Sequence, residues 1–155
     1  MKQVMCRSVM LIVLAVLLLP SVSRAQASPS KPRYQPLSNS EMSQQGLWEP
    51  WVAEFNALNG KQKAEVVRRH VRMCLDSFDL TDEQRAFITE TTAKFVTEDA
   101  YGEADPAKRA AIQQEMQPVQ GKAMTLLGPE LAMRIFAAKP PISVVFDVKN
   151  DPKFK

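Results

Sequence analysis

The stretch Leu80-Thr81-Asp82-Glu83-Gln84 decides the fold class, because it carries the clearest helix start in the chain. Thr81 followed three residues later by Gln84 is a capping box, in which each side chain bonds the other residue's backbone N–H. Asp82 and Glu83 place negative charge in the first turn, where the helix dipole favours it. The stretch therefore predicts an amphipathic α-helix to about residue 101, with a stripe formed by Leu80, Gln84, Phe87, Ile88, Thr91 and Phe95.

Four more segments have apolar residues at helical spacing, bounded by residues that start or stop helices. Two of them, residues 48–58 and 61–78, lie before the capping box. The third, residues 106–127, keeps one helical phase past Pro118, which predicts a single kinked helix. The fourth covers residues 129–139. The sequence thus predicts an all-α fold, a small bundle of four to five helices.

Residues 1–25 have the parts of a secretory signal peptide. Lys2 and Arg7 supply the positive start, and the apolar run that follows is about half as long as a membrane span. Cleavage is expected after Ala25, with Ala27 as the alternative. An uncleaved membrane anchor is disfavoured by the proline and small residues directly after the apolar run. The protein is therefore expected to be periplasmic or secreted, without a stable membrane anchor once the signal is removed.

The charge balance changes when the signal is removed. The chain has 20 basic and 17 acidic residues, but Lys2, Arg7 and Arg24 lie in the predicted signal, so 17 of each sign remain. A net charge of zero gives no support for nucleic acid or an anionic membrane as a partner. Cys74 is then the only cysteine left, which excludes a disulfide within one chain.

The two ends of the mature chain differ in composition from its middle. Residues 26–45 are rich in Ser, Pro, Gln and Asn, which predicts a flexible arm. Residues 142–148 alternate in a strand pattern without a second strand to pair with. Docking of this extended segment on its own domain is favoured over pairing between protomers or folding on binding. The predicted order is a signal peptide (1–25), a disordered linker (26–45), a helical domain (46–141) and an extended tail (142–155).

His70 and Cys74 are the one pair that suggests metal chemistry, since they lie four residues apart on a predicted helix. The mature chain has no further histidine or cysteine, so both are interpreted as packing residues. A nucleophile–base pair would also need His70, and neither a Gly-Xaa-Ser-Xaa-Gly elbow nor a phosphate loop is present. The sequence therefore predicts no catalytic, cofactor-binding or metal-binding residue and no enzyme activity.

Two further features have both a structural and a functional interpretation. For Trp48 and Trp51, a lid over a small core is favoured over an exposed ligand platform. Residues 61–72 carry five basic residues and one acidic residue. A solvated helix face is favoured there over a strip that binds an acidic partner.

Leu80, Thr81 and Gln84 match a Leu-Thr-Xaa-Xaa-Gln signature, and residues 127–131 have the form of a degenerate second copy. Residues 58–62 have a related shape. On these residues the chain resembles the Spy and CpxP type of periplasmic stress proteins. The resemblance implies an ATP-independent chaperone or a stress-sensing adaptor, in which the three signature residues have a structural role at a helix turn and no residue is catalytic.

The expected function is non-enzymatic binding of protein partners, including unfolded clients, through an apolar helical surface. Such a protein is expected to expose a contiguous apolar patch and to form a homodimer. The alternative is a small helical module for one specific partner or for an apolar ligand held in an enclosed pocket. Neither function uses a cofactor or nucleic acid.

Overall fold

The computed structural model describes residues 34–102 and 105–154, which contain no β-strand, so the all-α prediction is confirmed. Eight α-helices, rather than the four to five expected, and one 3₁₀ turn form this part of the chain. They are α1 (Asn39–Gln44), α2 (Trp48–Asn56), α3 (Gly60–Ser77), α4 (Asp82–Phe95), α5 (Glu98–Gly102), α6 (Pro106–Leu127), α7 (Pro129–Phe136), α8 (Ile142–Asn150) and the 3₁₀ turn Pro152–Phe154. Among these helices, none combines the length and hydropathy of a membrane-spanning segment. The predicted signal peptide lies outside the described residues.

Helix α3 is the element around which the others pack, because it is buried on more than one side. It contacts α4, α5, α7 and α8. Its start is a capping box: Gln62 N–H donates to Asn59 Oδ1 at 2.8 Å, and Asn59 N–H donates to Gln62 Oε1 at 3.1 Å. Val66 and Cys74 of α3 are both fully buried but belong to two separate apolar clusters.

The first cluster, called cluster A, joins the C-terminal half of α3 to α4, α6 and α7. Its buried members are Val71, Cys74, Phe87, Ile88, Ala123, Leu127, Ala132 and Ile135. Helix α4 supplies the two central ones, Phe87 and Ile88, from the stripe that the sequence predicts. Helix α6 continues through Pro118 as a single helix, also as predicted.

The second cluster, called cluster B, joins the N-terminal half of α3 to α1, α2 and α8. Its buried members are Met42, Trp51, Leu58, Val66, Val144, Val145 and Val148. The Trp51 indole N–H donates to the Pro140 carbonyl at 2.9 Å, and Trp48 packs against the same cluster. Both tryptophans therefore serve packing, in agreement with the favoured interpretation.

The prediction of an extended tail over residues 142–155 is wrong, because residues 142–150 form α8. Val144, Val145 and Val148 of this helix are buried, whereas Phe146 is exposed. The alternation of apolar residues fits a strand, but burial against α2 and α3 uses a helical face instead. Tertiary packing thus overrides the β-propensity of a valine-rich segment.

The prediction of a disordered linker also fails for its described part, residues 34–45. Ser38 caps α1 in a capping box with Glu41, and Met42 is buried in cluster B. The Lys139 N–H donates to the Leu37 carbonyl at 3.0 Å, which ties this segment to the end of α7. The polar composition reflects the exposed sides of a short helix that is anchored by one methionine.

Helix α4 ends at Phe95, six residues before the predicted end at 101. The cause is local, since the Thr97 hydroxyl accepts a hydrogen bond from the Ala100 N–H at 3.2 Å and starts α5. A threonine that caps a new turn competes with continuation of the helix before it.

Candidate functional site

An open groove of about 570 Å³, called the α7 groove, lies where α6 is followed by α7. Phe78, Leu127 and Leu131 give it an apolar lining, and all three are part of cluster A or pack against it. The groove is therefore an exposed edge of the core. Its complete lining is Phe78, Asp79, Leu127, Gly128, Pro129, Glu130, Leu131 and Arg134.

Gly128 makes this groove possible by turning the chain between the two helices. Its φ of 77° lies in the left-handed region that favours glycine. Pro129 then begins α7, at a position where the missing N–H would have no helical partner. In the sequence this Gly-Pro pair signals only a helix boundary, because the pattern does not reveal that the core stays open beside it.

Charged groups border the apolar lining. Arg134 pairs with Glu130 one turn earlier, at 3.1 Å, and both side chains are exposed. Asp79 lies on the other wall, next to Phe78. The groove thus has an apolar centre and a rim with charges of both signs.

Helix α7 also exposes apolar side chains on its other flank. Met133 is 58% exposed and Phe136 is 41% exposed, while Ala132 and Ile135 of the same helix are buried. Helical spacing puts Met133 and Phe136 on the flank of α7 opposite Leu131. Three further large apolar side chains are exposed elsewhere in the described residues: Leu47, Met124 and Phe146. Helix α7 thus carries two of the five large apolar side chains that are exposed in the described residues.

The predicted motif residues lie at the start of α4 and support one wall of the groove. The Gln84 N–H donates to Thr81 Oγ1 at 3.2 Å, and the Thr81 N–H donates to Gln84 Oε1 at 3.0 Å. Gln84 Nε2 also donates to the Leu126 carbonyl at 3.0 Å, which holds the last turn of α6. Leu80 packs against cluster A. Thr81 and Gln84 thus form a capping box, and Gln84 in addition bonds the end of α6.

The same capping device occurs at three helix starts. Leu37-Ser38 precedes α1, Leu58-Asn59 precedes α3 and Leu80-Thr81 precedes α4, each with a Glu or Gln that completes the box. The supposed copy at residues 127–131 has no side-chain cap, because glycine takes the cap position. Residues 37–41 and 58–62 therefore repeat the device of residues 80–84, and residues 127–131 do not.

His70 is buried in a chain of hydrogen bonds that links three segments. Its Nδ1 lies 2.8 Å from the Tyr34 hydroxyl, and its Nε2 lies 3.0 Å from the Ile135 carbonyl of α7. Burial lowers the pKa of His70 to about 4, so the ring is neutral at pH 7. Tyr34 was not predicted to matter, and its only signal in the sequence is an aromatic residue within a polar stretch.

Cys74 lies beside His70 but is a poor candidate for chemistry. Its Sγ is 3.8 Å from His70 Nε2, which already bonds the Ile135 carbonyl. Burial raises the pKa of the Cys74 thiol to about 12, so the nucleophilic thiolate is not populated at neutral pH. The described ranges contain no cluster of three or more His, Cys, Asp or Glu that would hold a metal ion.

The basic face of α3 is largely used within the protein. Glu65, which is buried, pairs with Arg69 at 3.1 Å and with Arg72 at 2.7 Å. Arg69 also reaches Asp151 at 3.2 Å, and Arg68 donates to the Val96 carbonyl at 2.9 Å. These arginines tie α3 to α8 and to the α4–α5 connection. Glu65, expected on a solvated face, is instead the centre of this network.

No family model, curated protein or solved structure matches this chain.

Proposed function

We propose that the protein is an exported, non-enzymatic helical protein that binds protein partners through the α7 groove and the apolar flank of α7. The observation that carries the proposal is the groove of about 570 Å³, which exposes apolar residues of the core under a charged rim. Phe78, Leu127 and Leu131 would accept apolar side chains of an extended segment from an unfolded or partly folded client. Glu130 and Arg134 would contact its backbone and polar groups.

The sequence adds two kinds of support. The balanced charge of the chain after the predicted signal suits recognition by apolar contact, without electrostatic steering towards one class of polyion. The resemblance of residues 80–131 to the Spy and CpxP type favours an ATP-independent chaperone or a stress adaptor in the periplasm. The bond from Gln84 to the Leu126 carbonyl connects that motif to the last turn of α6, whose Leu127 lines the groove.

The alternative, a carrier of a small apolar ligand, has less support. Ligand pockets are usually enclosed and measure about 300–1,000 Å³. The groove is in that range of size but is open, and a second cavity, between α4, α5 and α6, measures only about 80 Å³. Binding of one specific folded partner differs from client binding only in selectivity, and the experiment below separates the two.

The test is suppression of aggregation of an unfolding client in the absence of nucleotide. We expect an equimolar amount of the protein to slow light scattering by clients of unrelated sequence. If it slows none of them, the chaperone function is wrong. If a single partner is bound and unrelated clients are ignored, the specific-partner alternative replaces it.

Two phenylalanines of α7 and α8 provide a matched pair of variants. Phe136 is 41% exposed on α7 and Phe146 is 40% exposed on α8, so either can be changed to Ser with little loss of stability. Phe136→Ser should weaken client binding about tenfold, since the free energy of burying one aromatic side chain is about 1.5–3 kcal/mol. Phe146→Ser should leave client affinity unchanged. Equal losses in both variants would mean that α7 is not the binding surface.

A further inference from the structure

The bonds of His70 admit one proton arrangement that satisfies every group. The Ile135 carbonyl can only accept, so Nε2 carries the ring proton and donates to it. Nδ1 is then an acceptor for the Tyr34 hydroxyl. The Tyr34 N–H in turn lies 3.3 Å from the Ser77 hydroxyl of α3. Tyr34 is thus held to α3 and α7 through a neutral imidazole.

Burial disfavours an imidazolium at this position more strongly than the backbone carbonyls of Ile135 and Arg134 favour it. Both ring nitrogens bond neutral oxygens of Tyr34 and Ile135, and the nearest sulfur is the Cys74 thiol. The charged side chain that acts on the ring is the Lys139 ammonium, which has the same sign as an imidazolium and therefore disfavours it. Arg134 acts on the ring through its backbone. Burial raises the pKa values of Tyr34 and Cys74, so neither becomes an anion near neutral pH.

We propose that Tyr34, His70 and the Ile135 carbonyl form an acid-sensitive latch, which opens when His70 takes up a proton and releases residues 34–36 from α3 and α7, while Leu37 and Met42 stay packed on cluster B. A proton on Nδ1 places a donor opposite the Tyr34 hydroxyl, which must then reverse its own hydrogen bond in a buried site. Opening lets water reach the imidazolium and uncovers Cys74 and the adjoining edge of cluster A. The latch is independent of whether the α7 groove binds clients.

The expected size of the effect follows from proton linkage. The open state binds a proton with the ordinary histidine pKa of about 6.5, whereas the closed state resists protonation. The population of the open state should therefore rise about tenfold per pH unit as the pH falls from 6 to 5. Cluster B lies on another side of α3 and should not respond over this range.

Cys74 reports the opening directly, since its side chain is fully buried next to His70. In a Cys6→Ser background it is the only thiol, and 4,4′-dithiodipyridine can label it at acidic pH. After division by the rate for the unfolded protein at each pH, the labelling rate should rise about tenfold between pH 6 and pH 5. Trp51 fluorescence, a probe of cluster B, should stay constant. A flat labelling rate, or a rise that coincides with loss of the Trp51 signal, would disprove the latch.

The two tyrosines of the chain supply the matched variants. Tyr34→Phe removes the donor to Nδ1, so the pH dependence of labelling should move to higher pH and labelling at pH 7 should be faster. Tyr101→Phe in α5 should leave both unchanged. Should Tyr34→Phe fail to fold, the unmodified protein still decides, because His70 is the only histidine and its NMR titration needs no variant. A titration near pH 6.5 without shifts at Tyr34 would overturn the proposal.

Discussion

Gly60 is the residue at which α3 and α5 meet backbone to backbone. A Cβ at this position would lie 2.7 Å from the Glu98 carbonyl oxygen and 2.8 Å from the Gly102 nitrogen. Both contacts are with backbone atoms, which cannot rotate away as a side chain can. The glycine is required here for close approach, and its φ is not in the left-handed region.

We expect Gly60→Ala to lower the free energy of unfolding by about 2 kcal/mol, because the added methyl group forces α5 away from α3. Gly121→Ala is the matched control, since Gly121 lies inside α6 with nothing within 4 Å of its added Cβ. That substitution should stabilise the protein by about 0.5–1 kcal/mol. Urea denaturation measures both, and equal effects would contradict the close packing of α3 on α5.

Thr81 makes a testable contribution to the start of α4. Thr81→Ala should cost about 1 kcal/mol, because the Gln84 N–H loses its side-chain acceptor. Thr125→Ala is the control, since that exposed hydroxyl only donates to the Gly121 carbonyl within its own helix. Its effect on the free energy of unfolding should stay below about 0.5 kcal/mol. If thermal unfolding gives similar losses for both, the capping box does not stabilise α4.

At the scale of elements, helix starts are the most regular feature of the protein. Three helices begin with a Leu followed by a polar cap residue and a Glu or Gln that completes the box. The Leu-Thr-Xaa-Xaa-Gln motif is therefore one instance of a local device for starting helices. What distinguishes it is the additional bond from Gln84 to the end of α6, which connects two elements that are distant in sequence.

Helix α8 gives a prediction that separates its two interpretations. In a strand, Phe146 would share the inward face with Val144 and Val148, and Val145 would face outward. In α8, Val145 is fully buried and Phe146 is exposed. Val145→Asp should therefore prevent folding or cost more than about 3 kcal/mol, whereas Phe146→Asp should cost less than about 1 kcal/mol. Circular dichroism during urea unfolding measures both, and the reverse order would restore the strand.

At the scale of the whole described chain, α3 is shared by two clusters that are otherwise built from different elements. Cluster A uses α4, α6 and α7, and cluster B uses α1, α2 and α8. Helix α3 also carries Glu65, the centre of the arginine network, and His70 with its hydrogen bond to Tyr34. Loss of α3 as a helix should therefore destabilise both clusters, whereas protonation of His70 should act on the cluster A side alone.

His70 makes the stability of the protein depend on pH. Its pKa is lowered to about 4 by burial, compared with about 6.5 when unfolded, so the unfolded state binds more protons between these values. The free energy of unfolding should be highest above pH 6.5 and should fall by up to about 3 kcal/mol as the pH drops towards 4. Urea denaturation across this range measures the loss. In His70→Gln the free energy of unfolding should depend less on pH over this range. An unchanged dependence in that variant would assign the effect to other groups.

The sequence alone determined the all-α class, the capping box at Thr81, the continuous α6 and the buried side of α4. These features rest on interactions between residues three or four positions apart, which a periodic pattern records.

Only the tertiary structure decided the rest. Whether residues 142–150 form a strand or a helix depends on the surface that α2 and α3 offer, and the valine-rich pattern fits either. Tyr34 and His70 are 36 positions apart, so no local pattern could pair them. The groove beside Gly128 exists because α6 and α7 leave an edge of cluster A uncovered, and that is a property of how helices meet in space.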